Sequence, residues 1–312
     1  MTAPRSAIFI AAAIGATFCW GAGMTLTKLA LGHFEPSLLL LVQLLASIAF
    51  LLIILLATGI RTTSWSQVLR NSGLGVLEPG LAYFLGLEGL NRISAAEAVV
   101  LSSTESIMIV LLAWMLAIER PRGVVLLLAI VGAAGAVLVA GSHLQHAGGS
   151  LSLWGDALVL GGVLSAAIYV VCSSRLASVT QPLPALIGQQ VVAVVFATGI
   201  HLALSDGGFS LQSVPTSGWL LAVSSGIVQY ACAFWLYLWA LKGLRADEAG
   251  LYLSLIPVFG LMIAMPVLGE RLTAMQWMGT LVIIGTIVVL TRLRDEQQAV
   301  LDEPNKARSP AA

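Results

Sequence analysis

The chain has 312 residues, of which 58% are hydrophobic and 10% charged, with a mean hydropathy of +0.96. Soluble domains carry about 25% charged residues, which excludes a soluble globular protein, and a formal net charge of zero argues against a nucleic-acid partner. Cys19, Cys172 and Cys232 stand singly in apolar stretches, and no CxxC, HExxH, Walker or GxSxG string occurs. Nothing therefore points to an enzyme, a metal site or a cofactor.

Hydrophobic stretches of about 20 residues read as membrane helices. In chain order they fall at 7–28, 36–58, 67–89, 94–117, 122–141, 153–174, 183–204, 217–240, 247–268 and 273–292. The prediction is an all-α integral membrane protein with ten transmembrane helices. The first stretch follows Arg5 but runs past residue 25 with no clear A-x-A cleavage site, so a retained helix is expected rather than a signal peptide. The longest connections, 142–152 and 205–216, are polar and contain glycine. Residues 293–312 are charged, hold two prolines and are expected to form a disordered cytoplasmic tail.

The chain also repeats itself. Residues 75–120 align without a gap on 226–271, at an offset of 151, with 12 identities in 46 positions. Among them are Gly75/Gly226, Ala82/Ala233, Glu97/Glu248, Ser103/Ser254 and Glu119-Arg120/Glu270-Arg271. Upstream, Pro36, Gln43 and Phe50 match Pro182, Gln189 and Phe196 at offset 146. Each copy holds five spans: 1–145 is the first repeat and 146–292 the second. Five is odd, so the second copy must thread the bilayer in the opposite sense. Two inverted five-helix repeats are a transporter architecture, with the substrate site at the repeat interface near the midplane.

Basic residues set the orientation. With the N-terminus in the cytoplasm, 12 of the 15 lysines and arginines lie inside; only Lys28, Arg92 and Arg271 lie outside. Both termini are then cytoplasmic, in a cell (inner) membrane. Trp65, Trp154, Trp219 and Trp277 fall near span ends, as interfacial anchors do.

A charge at the centre of a membrane helix costs roughly 2.5–3.5 kcal/mol on insertion scales. Glu78 and Glu105 each lie near the midplane by helix rise. Pro79 follows Glu78 and is expected to bend its helix. Their repeat mates are Gln229 and Ile256. Gln43 and Gln189 lie deep from opposite sides, either as interhelical glue or as ligand contacts. Trp20, Tyr83, Tyr230, Trp235 and Tyr252 sit at comparable depth. Gly75/Gly226 read as close helix packing. Ser94-x-x-Glu97 reads as a capping box, Asp247 as a cap, and Glu88/Arg92 as a surface pair.

These features resemble the EamA-type, ten-helix branch of the drug/metabolite transporter superfamily. The carriers are Trp20-Gly21 with Lys28, the turn Gly269-Glu270-Arg271-Leu272-Thr273, Gln276-x-x-Gly279, Pro257 and the duplication. The resemblance implies a basket with a central cavity lined by spans 1–4 and 6–9, with spans 5 and 10 peripheral. It also implies movement of small metabolites, often outward, without ATP. One departure is Ser106, preceded by Glu105, where the first half of such proteins usually has proline.

The expected function is secondary transport, as an exporter, of a small polar or cationic metabolite such as an amino acid or amine. Glu78 and Glu105 are the expected substrate- and proton-binding carboxylates. Gln43, Gln189 and Gln229 would supply amide contacts, and Trp20, Tyr83, Tyr230 and Tyr252 the walls. An uncoupled facilitative carrier and a non-transport partner subunit are the alternatives. The expected partners are the substrate, protons and the lipid bilayer. The sequence leaves oligomeric state open, and it does not fix whether the two carboxylates share one cavity.

Overall fold

The computed structural model describes residues 5–60, 65–90, 92, 101–116, 123–144, 153–177, 181–204, 214–268 and 273–306. Six of its helical stretches are long and apolar enough to cross a membrane: Ala7–Ala30, Pro36–Thr58, Leu153–Leu176, Pro182–Ala203, Thr216–Ala240 and Ala274–Leu293. Leu56, Leu69, Val195 and Leu220 are exposed on the outside of the bundle. A hydrocarbon surface of this kind is stable only against lipid or another protein.

The first two helices are α1 (Arg5–Ala30) and α2 (Pro36–Thr58). Pro36 suits the first turn of α2, where its missing N–H costs nothing. Gly59, at φ 60°, closes the helix in the left-handed conformation and returns its N–H to the Leu55 carbonyl.

The next span is broken. After α3 (Trp65–Ser72) comes a 3-10 turn, Gly73–Val76, then a π-type segment, Leu77–Leu81, and only then α4 (Ala82–Leu90). Glu78 is extended there, at φ −149° and ψ 130°. α5 (Glu105–Met115), α6 (Gly123–Leu144), α7 (Leu153–Ala177) and α8 (Pro182–Leu204) follow. α9 (Thr216–Ser225) and α10 (Ala233–Ala240) are again joined by a π-type segment, Gly226–Cys232. α11 (Ala246–Tyr252) and α12 (Ile256–Leu268) are joined by a 3-10 turn, Leu253–Leu255. The irregularities recur at the repeat offset: 77–81 maps onto 228–232, and the turn at Ser103-Thr104 maps onto 254–255.

Irregular backbone at membrane depth needs partners for its carbonyls. Ser165 of α7 donates to the Leu77 carbonyl at 2.9 Å, and Gln190 of α8 donates to the Tyr230 carbonyl at 2.7 Å. Each π-type segment is thus held by a side chain from a neighbouring helix.

The packing is exchanged between the halves. α2 packs on α8, α6 on the last helix α13 (Ala274–Lys306), and α5 of the fourth span on α11 of the ninth, so equivalent spans meet one another. Other contacts come in mirrored pairs: α1 lies against α10 as α7 lies against α4, and α1 against α12 as α7 against α5. At the closest crossings, Gly226 abuts the backbone of Gln43, and Gly75 abuts the backbone of Gln189. A two-fold relation between the halves accounts for all of these contacts together.

One expectation is corrected. The disordered tail placed at 293–312 is helical as far as Lys306, continuous with α13. Arg294, Glu296, Gln297, Gln298, Ala299 and Leu301 are good helix formers, and they extend a helix already nucleated in the bundle. The Ser94–Glu97 box and the two Glu-Arg turns lie outside the described residues.

Candidate functional site

Equivalent residues that touch each other must lie close to the axis relating the halves. Tyr83 and Phe234 are such a pair, separated by the repeat offset, with ring centroids 6.3 Å apart. Phe234 is fully buried and is the hub of an aromatic cluster. Around it stand Trp20 of α1 at 5.1 Å, Tyr169 of α7 at 6.0 Å and Tyr230 at 6.4 Å. Tyr83 also meets Tyr230 at 4.9 Å, and Trp20 meets Tyr237 at 5.3 Å. Tyr230, Phe234 and Tyr237 share one face of their span at i, i+4 and i+7.

Glu78 and Glu105 lie within electrostatic reach of tyrosines of this cluster. Glu78 is turned out of the helical path by the break in its span. Its carboxylate lies within electrostatic reach of Glu105 and of the Tyr83, Tyr169 and Tyr230 hydroxyls. Tyr237 reaches both carboxylates. Among the described residues no basic side chain is paired with either of them. Glu78, Tyr83 and Glu105 are half-buried, whereas Trp20, Gln229 and Tyr230 are buried.

The amides divide by role. Gln229 faces the Tyr83 hydroxyl and accepts a hydrogen bond from Thr27 at 2.7 Å. Gln43 donates to Thr27 and Ser225, each at 2.8 Å. Gln189 donates to Asn71 at 2.9 Å and accepts from Tyr169 at 3.1 Å. Gln43 and Gln189, each at most 1% exposed, are therefore engaged in tying helices together. Tyr252 is buried too, but its hydroxyl meets Thr291 of α13 at 3.2 Å. The structure does not bring it into the aromatic contacts around Phe234.

Two further expectations have an outcome. Glu88 and Arg92 form the surface pair, at 2.6 Å. At the start of α11 the cap position is Arg245 rather than Asp247. The Asp247 carboxylate nevertheless accepts from the Glu248 N–H at 2.8 Å and pairs with Arg245 at 3.0 Å. A cleft of about 360 Å³ lies elsewhere, lined by Ile60, Pro182, Trp235, Trp239 and Lys242. None of its lining residues is a carboxylate.

The sequence profile of the EamA-like transporter family matches residues 7–141 and, a second time, 153–292. The chain belongs to the EamA-like transporter family. A relative is the permease-like protein YdzE of Bacillus subtilis (strain 168), 29% identical over 72 residues, which is 23% of this chain and 92% of that protein. A solved crystal structure shares the fold with a TM-score of 0.77 at 22% identity, over 93% of this chain and 100% of that one. As an EamA-like transporter the protein is a multi-pass membrane protein of two repeats.

Sequence reasoning about this EamA-like chain missed Tyr169, Phe234, Tyr237 and Gln190. The i, i+4, i+7 aromatic spacing from Tyr230 was a readable signal for two of them. Tyr169 stands alone in its span, and Gln190 matters only through a carbonyl that an unseen π-type segment exposes.

Proposed function

We propose that the protein is a secondary transporter of a small polar or cationic metabolite, such as an amino acid or amine, exported by alternating access. In this reading it has ten spans in two inverted five-span halves, with both termini cytoplasmic in the cell membrane. One observation carries the substrate reading. Two carboxylates lie within electrostatic reach of one another, close to the aromatic cluster, with no basic partner among the described residues. An ammonium group fits there twice over, by charge and by its attraction to the ring faces. Glu78 and Glu105 bind the substrate cation or protons in exchange, which couples export to a proton gradient. Trp20, Tyr83, Tyr230 and Gln229 form the wall. Gln43 and Gln189 hold the frame around it, and Tyr252 secures the last helix.

The test is uptake into vesicles holding purified protein, with an imposed pH gradient. Wild-type protein accumulates an amine substrate against its gradient. Glu78→Gln and Glu105→Gln each reduce that accumulation at least tenfold and flatten its pH dependence. Wild-type rates and pH profiles in both variants overturn the carboxylate reading. Equilibration without accumulation by the wild type identifies an uncoupled carrier instead.

A further inference from the structure

A second pattern runs along α10, on a face other than the one that carries Tyr230, Phe234 and Tyr237. Trp235, Trp239 and, in the turn after the helix, Lys242 recur at i, i+4 and i+7, which places them along one side. All three line the cleft of about 360 Å³. Gln181, Pro182 and Leu183 complete it at the start of α8, with Ile60 behind the Gly59 cap of α2. Trp239 is 38% exposed. Lys242 is exposed as well, and pairs with no acid among the described residues.

Tryptophan beside a basic residue at the ends of membrane spans marks the headgroup level. Among the described residues Lys242 is the one charged residue lining the cleft. The first residues of α8 bring the positive end of that helix dipole to the same place. These groups favour an anion, whereas the tryptophans, Ile60 and Leu183 favour hydrocarbon. A free anion satisfies only the first requirement; an anionic lipid satisfies both. The fold alone does not produce this lining. At the repeat offset the stripe reads Phe84, Glu88 and Asn91, and Glu88 is paired with Arg92 at 2.6 Å.

We infer that this cleft binds an anionic phospholipid, with the headgroup phosphate on Lys242 and an acyl chain along Trp239 and Trp235. The cleft is too small to enclose a whole lipid, so it takes the phosphate and the first part of a chain while the remainder stays in the bilayer. The site is separate from the carboxylate cluster and independent of what the protein transports. Ile60 belongs to the first repeat, and Lys242 and Trp239 to the second, so a lipid seated there bridges the two halves.

The experiment measures, by native mass spectrometry of the purified full-length protein, the affinity for phosphatidylglycerol and for phosphatidylcholine with identical chains. Wild-type protein prefers phosphatidylglycerol by about fivefold, the contribution of one lysine beside an anionic headgroup. Lys242→Gln removes that preference and Lys242→Arg keeps it. Lys28→Gln makes the same charge change on an exposed lysine near the end of α1, at the opposite end of the bundle, and leaves the preference intact. Trp239→Leu weakens both lipids by a similar factor. Thermal melting in detergent reports that each variant remains folded. Equal wild-type affinity for the two lipids, or an undiminished preference in Lys242→Gln, overturns the site. Binding of inorganic phosphate as tight as that of the lipid overturns it in favour of a free-anion pocket. A dimer that binds neither lipid overturns it in favour of a second copy of the chain.

Discussion

At the scale of single residues, Gln189 shows how depth and role separate. Its amide joins Asn71 of α3 to Tyr169 of α7 from a position on α8. Gln189→Ala would leave both partners buried without each other. Interhelical bonds in membrane proteins are worth about 0.6–1.7 kcal/mol each, so a loss of roughly 1–3 kcal/mol is expected, read as a lower melting temperature in detergent. An unchanged melt would mean that the two partners find other bonds. The sequence exposes this residue as a polar group at membrane depth, but not which way it faces. In an all-apolar span no stripe fixes the rotation, so glue and ligand contact look alike. Glu78 and Glu105 are more legible, because a lone carboxylate at that depth is too costly to face lipid.

Among elements, the breaks in the spans are the informative feature. Pro79 advertises the first of them. The second, at Gly226–Cys232, has no proline, and its carbonyl is held by Gln190 from another span. A cause that sits in a neighbouring helix leaves no local trace in the sequence. The glycines flanking these breaks do leave one, because they repeat. A Cβ at Gly226 would sit 2.5 Å from the Gln43 carbonyl oxygen, and one at Gly75 would collide with Gln189. Gly226→Ala and Gly75→Ala should each destabilise by about 1–3 kcal/mol through overpacking. Gly285→Ala, with nothing within 4 Å, should be neutral or stabilising. Thermal unfolding of the three variants in detergent gives the ordering. If Gly285→Ala proves as harmful as the other two, helix crossing distance is not what these positions protect.

For the whole molecule, the repeat predicted the plan, and the family match over both halves agrees with it. The orientation rests on charge placement and calls for a direct measurement. Fusing a phosphatase active only outside the cell, or a fluorescent protein that matures only inside, to each terminus should give fluorescence and no phosphatase activity at both ends. Opposite behaviour of the two termini would require an odd number of spans. The aromatic pair on the axis carries one last consequence for such an inverted protein. Exchanging the two halves converts an inward-facing arrangement into an outward-facing one. Identical halves would make those end states isoenergetic, and an empty carrier would rest equally in each. On the proposed alternating-access reading, Tyr83 against Phe234, and Glu78 against Gln229, lift that degeneracy where the halves meet. On that reading, the resting direction of the empty carrier is therefore set by the mated positions that differ where the halves meet.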